Sequence, residues 1–149
     1  MRASNLMGVP MQQTVLKDGR DLTVPAPSRR RTVFIVDDEA MVAEVVSVVL
    51  AMEGFNTRIF TSPVDALEAF EAAAEKPELL ITDYIMHPYG GLDLIARCRE
   101  IKPELRSILY SGNVGAEAIH RQQVKPDAFL SKPFLPKELI QTVHDSLLA

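Results

Sequence analysis

The chain of 149 residues holds a single cysteine, Cys98, so no internal disulfide can form and a reducing compartment is the default. Tryptophan is absent and aromatics make up 6% of residues, which argues against a base-stacking platform for single-stranded nucleic acid. Only seven glycines are present, and no phosphate-cradling glycine loop precedes a helix pattern. No apolar run approaches the length that spans a bilayer, so no membrane span is expected. The N-terminus lacks the basic-then-apolar layout of a secretory signal, and a cytoplasmic location is expected. No histidine and cysteine cluster has zinc spacing.

What is present is an ordinary globular composition, 47% hydrophobic and 24% charged. The net charge of −4 is unevenly spread. Residues 1–31 carry about +4, and residues 32–149 about −8. The acidic body is a poor direct binder of nucleic acid and a reasonable host for a cation, although a solvated acidic surface is the commoner meaning. Two regions are therefore expected. Residues 1–31 form an N-terminal tail and linker, mostly disordered, with Val24-Pro25-Ala26-Pro27-Ser28 as its extended end. An Asp18-Gly19 pair between short apolar arms carries a hairpin signal. Residues 32–149 form the folded domain.

Four short apolar runs each end in a polar or ionisable residue. Val33 to Val36 leads into Asp37-Asp38, Leu79 to Thr82 into Asp83, Ile108 to Tyr110 into Ser111, and Ala128 to Ser131 into Lys132. Such runs suit strands buried on both faces of a parallel sheet. Helical spacing follows the first run at Met41, Val42, Val45, Val46, Val49 and Leu50, and Gly54 gives the stop. Ser62-Pro63 with Asp65 reads as a helix start, with Leu67 and Phe70 facing inward. Leu92, Ile95 and Ile101 mark a third helix. A weak fourth runs from about Gly115 to Gln123, and a fifth carries Leu139, Ile140, Val143 and Leu147 on one face. Phe55 to Phe60 mixes apolar and polar residues as an edge strand would. The pattern gives an α/β fold, a flavodoxin-like (βα)5 doubly wound parallel sheet of five strands in the order 2-1-3-4-5.

Ligands bind beyond the carboxyl ends of such strands. That edge gathers three carboxylates, a hydroxyl and an ammonium. Mg2+ takes hard oxygen ligands and usually keeps several waters. Asp38 and Asp83 are placed to bind it directly, with Asp37 acting on a bound water. Asp83 is also a candidate nucleophile, because carboxylates form acyl phosphates. Lys132 and the Ser111 hydroxyl would cover phosphoryl oxygens. Singly, each signal has a plain reading: a turn aspartate, a Ser-Gly turn, a strand-ending Lys-Pro. Their order and shared position at strand ends set them apart. Cys98 reads as core, and His120 and His144 as surface.

These segments resemble the receiver domain of bacterial two-component response regulators, over about Thr32 to Ala149. Val36-Asp37-Asp38-Glu39 is similar to the family's acidic pocket, and Thr82-Asp83-Tyr84-Ile85-Met86 with Gly91 to its phosphoacceptor segment. Tyr110-Ser111-Gly112 is similar to its switch motif, and Ser131-Lys132-Pro133-Phe134 to its lysine motif, where the Lys-Pro bond is typically cis. The resemblance implies that Asp83 takes phosphate from a histidine kinase or phosphotransfer protein. It implies that Asp37, Asp38, Asp83 and the Ile85 carbonyl serve Mg2+, that Ser111 and Lys132 hold the phosphoryl group, and that Ser111 and Phe129 form the switch. Two departures stand out. His87 replaces the usual proline four residues after the acceptor, with Pro88 one later, so the loop is expected to take another course, with His87 exposed to solvent. Ile85 and Asn113 fall where the family flanks the hydrolytic water, and Ile85 is expected to hinder it.

The expected function is a stand-alone, phosphorylation-dependent signalling switch, because no output domain follows Ala149. Output would pass to a partner protein or along a phosphorelay, and a homodimer through the fourth helix, fifth strand and fifth helix is possible. Two rivals differ in class. One is a degenerate receiver serving as a phosphate-independent docking or dimerisation module. The other is a phosphatase acting on free substrates, not expected here because haloacid dehalogenase-like enzymes carry a second Asp where this chain has Ile85.

Overall fold

The computed structural model describes residues 11–15, 21–25, 30–112, 118–119 and 121–148. The chain divides into two compact units between Arg30 and Arg31. In the first, β1 (Met11–Val15) pairs antiparallel with β2 (Asp21–Pro25), from Met11 opposite Pro25 to Val15 opposite Asp21. These strands flank the Asp18-Gly19 signal, which itself lies outside the described residues.

The second unit alternates strand and helix: β3 (Thr32–Val36), α1 (Ala40–Met52), β4 (Asn56–Phe60), α2 (Pro63–Ala72), β5 (Leu79–Asp83), α3 (Gly91–Ile101), β6 (Arg106–Ser111), β7 (Ala128–Ser131) and α4 (Pro136–Leu148). The five strands form one parallel sheet in the order β4-β3-β5-β6-β7. Counted from β3, that is the expected order 2-1-3-4-5. Strand alternation divides the core in two. Val33, Ile35, Leu79, Ile81, Ile108 and Tyr110 pack with α1 and α4. Phe34, Val36, Leu80 and Leu109 pack with α2 and α3. Both faces are thus covered, which is why β5 is buried throughout and reads as an unbroken apolar run. β4 lies at the edge and is the most polar strand; the Arg58 guanidinium covers the rings of Phe34 and Phe60.

Local signals and helix ends agree. Ser62 caps α2 by accepting from the Val64 amide at 3.1 Å, with Pro63 in the first turn. Gly54 takes φ +94° just past α1, where a side chain would be strained. Helix faces differ in detail from the expectation. In α1 it is Ala43, Val46 and Leu50 that are buried, while Met41, Val45, Val48 and Met52 are exposed. In α3, Leu94 and Cys98 join Ile95 inside, whereas Ile101 is exposed. Cys98 is core as expected, and burial pushes its thiol up to about 12. Of the helix expected over about Gly115 to Gln123, Ala118 and Ile119 are helical and Ile119 is buried, whereas residues 121–123 are turn and bend; residues 115–117 and 120 lie outside the described residues. His120 is thus outside them, while His144 is half-exposed, 3.8 Å from Glu53.

Candidate functional site

The carboxyl ends of β3, β5, β6 and β7 meet at one edge of the sheet. Asp37 follows β3 directly, and its amide donates to the Phe60 carbonyl at 3.0 Å, which ties it to β4. Asp83 ends β5, Ser111 ends β6, and Lys132 follows β7. The Lys132 amide donates to the Ser111 carbonyl at 2.9 Å, so these two ends are fastened together. Carboxylate oxygens of Asp37, Asp38 and Asp83 lie within 4.8 Å of one another. Asp37 is fully buried, Asp83 nearly so, and Asp38 is open to solvent.

Lys132 stands among the acids. Its Nζ is 3.4 Å from Asp37 Oδ2, 3.6 Å from Asp83 Oδ1 and 3.9 Å from Glu39 Oε1. Asp83 Oδ1 also accepts from the Tyr84 amide at 2.9 Å. Burial pushes the Asp83 carboxyl up to about 6, with the Asp37 charge adding to the rise and Lys132 opposing it. Ser111 is buried beside this group, Ile85 is more than half exposed, and Phe129 is partly buried against the α2–α3 side of the core. His87 is exposed, as expected, and both Lys132-Pro133 and His87-Pro88 are cis. Asn113 lies outside the described residues.

Two glycines carry the loop past Asp83. A Cβ on Gly91 would collide with the Asp83 carbonyl oxygen and the Leu109 side chain, and one on Gly90 with the Tyr84 carbonyl. The Gly91 amide donates to that Tyr84 carbonyl at 2.8 Å. The spacing from Asp83 to Gly91 therefore has a steric cause.

The donor set fits a hard divalent cation. Clustered carboxylates supply oxygen ligands, and a cation relieves their mutual repulsion. Asp37, Asp38 and Asp83 are the residues that would hold it.

Three features escaped the sequence reading. The fully buried Tyr110 hydroxyl donates to Asp37 Oδ2 at 2.8 Å. Glu39 reaches Lys132 and fixes Asp37 through its amide, at 2.8 Å to Oδ1. A groove of about 580 Å³ beside the acids is walled by Met41, Val42, Val45 and Val46 of α1 on one side and by Pro133 and Phe134 on the other. Strand alternation could have placed Tyr110 on the Asp37 side, but its partner is a contact between distant segments.

The response regulator receiver domain model matches residues 33–144. The chain belongs to this family. It is 33% identical over 117 residues to the DNA-binding transcriptional regulator NtrC of Azospirillum brasilense, covering 78% of this chain and 24% of that protein. It is 28% identical over 121 residues to the DNA-binding response regulator MtrA of Mycobacterium tuberculosis, covering 79% of this chain and 51% of that protein. The chain thus spans between a quarter and a half of the length of these relatives. Among solved structures, the NtrX receiver domain of Brucella abortus superposes with a TM-score of 0.71 at 28% identity, covering 78% of this chain and 98% of that one. Receiver domains are signalling domains that typically bind Mg2+ at an acidic pocket and work with histidine kinases or phosphotransfer proteins. Among the described residues, no helix is long and apolar enough to cross a membrane.

Proposed function

We propose that this receiver is a phosphorylation-dependent switch in which Asp83 accepts a phosphoryl group from a phosphohistidine donor. The observation that carries the reading is the convergence of three carboxylates within 4.8 Å with the Lys132 ammonium 3.6 Å from Asp83. An Asp83 carboxylate oxygen forms the new bond to phosphorus as the bond from phosphorus to the donor nitrogen breaks, and the imidazole keeps that electron pair. Mg2+ held by Asp37, Asp38, Asp83 and the Ile85 carbonyl would supply charge neutralisation for the transferring group. Lys132 covers a second phosphoryl oxygen and the Ser111 hydroxyl a third, so the transfer rests on positioning and charge.

The donor must bring its histidine to the rim of this pocket. Among the exposed apolar residues near that rim are Met41 and Val45 of α1, next to Pro133 and Phe134. The donor docks there. Movement of Ser111 toward the acyl phosphate, with Phe129 turning further inward, then biases the face of β7, α4 and the segment before β7 between two states. That face binds the output partner or a second copy, in the cytoplasm.

With Mg2+ and acetyl phosphate, intact-mass measurement should find one added phosphoryl group, acid-stable and base-labile, absent from Asp83→Asn. No added mass refutes the reading. Partner capture that is the same with and without beryllofluoride would favour a phosphate-independent docking module instead.

A further inference from the structure

Tyr110 lies one residue before Ser111, so strand alternation turns its ring to the opposite face, against α1 and α4. It is fully buried beside Phe134, with ring centroids 5.7 Å apart. Its hydroxyl donates to Asp37 Oδ2 at 2.8 Å. That same oxygen is the one 3.4 Å from Lys132 Nζ, and the ammonium sits 4.7 Å from the centre of the Tyr110 ring. Asp37 Oδ1 already accepts from the Glu39 amide at 2.8 Å. Both oxygens of this buried carboxylate are therefore held by protein donors, and Oδ2 has two.

We propose that Tyr110 is a positioning residue for phosphoryl uptake: its hydroxyl keeps Asp37 satisfied so that Lys132 can leave it for the incoming phosphoryl group. The proposal rests on the reading of Asp83 as phosphoacceptor. Before transfer, Lys132 is shared by Asp37, Asp83 and Glu39. To meet a phosphoryl oxygen it must loosen its hold on Asp37. A buried acceptor stripped of its donor is costly, and that cost would fall on the transfer step. The Tyr110 hydroxyl removes it, because Oδ2 keeps one donor wherever the ammonium goes. Phenylalanine at this position would keep the ring and its packing while leaving Oδ2 to Lys132 alone. The ammonium would then be held back. A divalent cation would not be disfavoured, because it would meet a carboxylate with one donor fewer competing for it.

The test compares the chain of 149 residues with its Tyr110→Phe variant. Mg2+ affinity is measured by calorimetry, and the rate of phosphoryl uptake from acetyl phosphate at saturating Mg2+ by intact mass. The variant should bind Mg2+ as tightly as the wild type or more so, while its uptake slows about 10-fold, the rate equivalent of one lost hydrogen bond to a charged group. A residue that merely supports the fold would lower Mg2+ affinity and Tm together, and that result overturns the proposal. So does an unchanged uptake rate. A wild type that binds Mg2+ but gains no phosphoryl group refutes the phosphoacceptor reading itself, and this proposal with it. Should Tyr110→Phe not fold, a beryllofluoride-bound structure of the wild type decides. Tyr110 should remain hydrogen-bonded to Asp37 with Lys132 moved away from it; Lys132 still on Asp37, or Tyr110 released, overturns the proposal.

Discussion

Lys132 Nζ stands 3.6 Å from Asp83 Oδ1, so an ammonium following β7 offsets part of the charge of a carboxylate that ends β5. It lowers the Asp83 pKa against the larger effects of burial and of Asp37. Lys132→Ala should therefore raise the Asp83 pKa above its present value of about 6. It should also slow phosphoryl uptake roughly 100-fold, the scale on which a preorganised charge-stabilising group acts. Carboxyl NMR titration checks the first outcome and an intact-mass time course the second.

The raised Asp83 pKa also links stability to pH. A carboxyl that titrates near 6 when folded, against an ordinary value of 3.8, is held less well in its charged form by the fold. Its cost is absent below about pH 4, grows between 4 and 6, and is full at neutral pH. Asp83→Asn should raise Tm at pH 7, and the gain should vanish as pH falls toward 4. Saturating Mg2+ should raise the wild-type Tm at pH 7, and by much less in the variant. Thermal melts across this range, with and without Mg2+, check both.

Gly91 tests the steric reading of the acceptor loop. A methyl group there meets the Asp83 backbone, which cannot rotate aside, and the Leu109 side chain behind it. Gly91→Ala should destabilise the domain by about 1–3 kcal/mol, the range for overpacking. It should also weaken Mg2+ binding, because Asp83 is displaced with its carbonyl. Denaturant unfolding and calorimetry give the two numbers. Gly54→Ala is the contrast: a Cβ there meets open space, and the cost comes from its positive φ alone.

The opposite edge of the sheet supplies a control. Asp127 Oδ2 accepts from the Ser107 amide at 2.8 Å and from Arg99 at 3.2 Å, and Arg99 donates to the Lys125 carbonyl at 2.7 Å. This network fastens the start of β6 to the segment entering β7. Asp127→Ala should cost about 1.5–3 kcal/mol, as loss of charge-assisted hydrogen bonds does. Uptake from acetyl phosphate should stay within twofold, because these residues lie away from the acids. Paired unfolding and uptake measurements check it.

Most of the architecture was legible because β3, β5 and β6 are buried on both faces and then end in polar residues. That pattern separates β3, β5 and β6 from the helices without ambiguity, and the polar content of Phe55 to Phe60 marks the edge. Asp37, Asp38, Asp83, Ser111 and Lys132 stood out because a parallel sheet brings such strand ends together. Less legible was which side of α1 faces the core. Val45 and Val46 are adjacent and identical, yet one is 58% exposed and the other fully buried. Helical spacing admits either face, and the choice is made by packing against β3, β4 and α4. In α3, Ile101 was expected inside and is exposed, and the buried Leu94 was not singled out, for the same reason. The hydrogen bond from Tyr110 to Asp37 joins residues far apart in sequence, and no local pattern announces it.

The exposed side of α1 leads to a last prediction. Met41, Val45, Val48 and Met52 recur at helical spacing and remain 58–80% exposed. Scattered apolar residues on a surface need no explanation, but a continuous stripe beside a reactive pocket does. On the proposed function, a protein donor must cover this rim to bring its histidine to Asp83, whereas acetyl phosphate need not. Val45→Glu places a charge on the stripe at a residue that packs into neither core cluster. Uptake from a phosphohistidine protein should then slow at least 10-fold, while uptake from acetyl phosphate and the Tm stay near wild type. Equal slowing with both donors would mean that the substitution disturbs the pocket itself. Slowing with neither would mean that the donor approaches from another side.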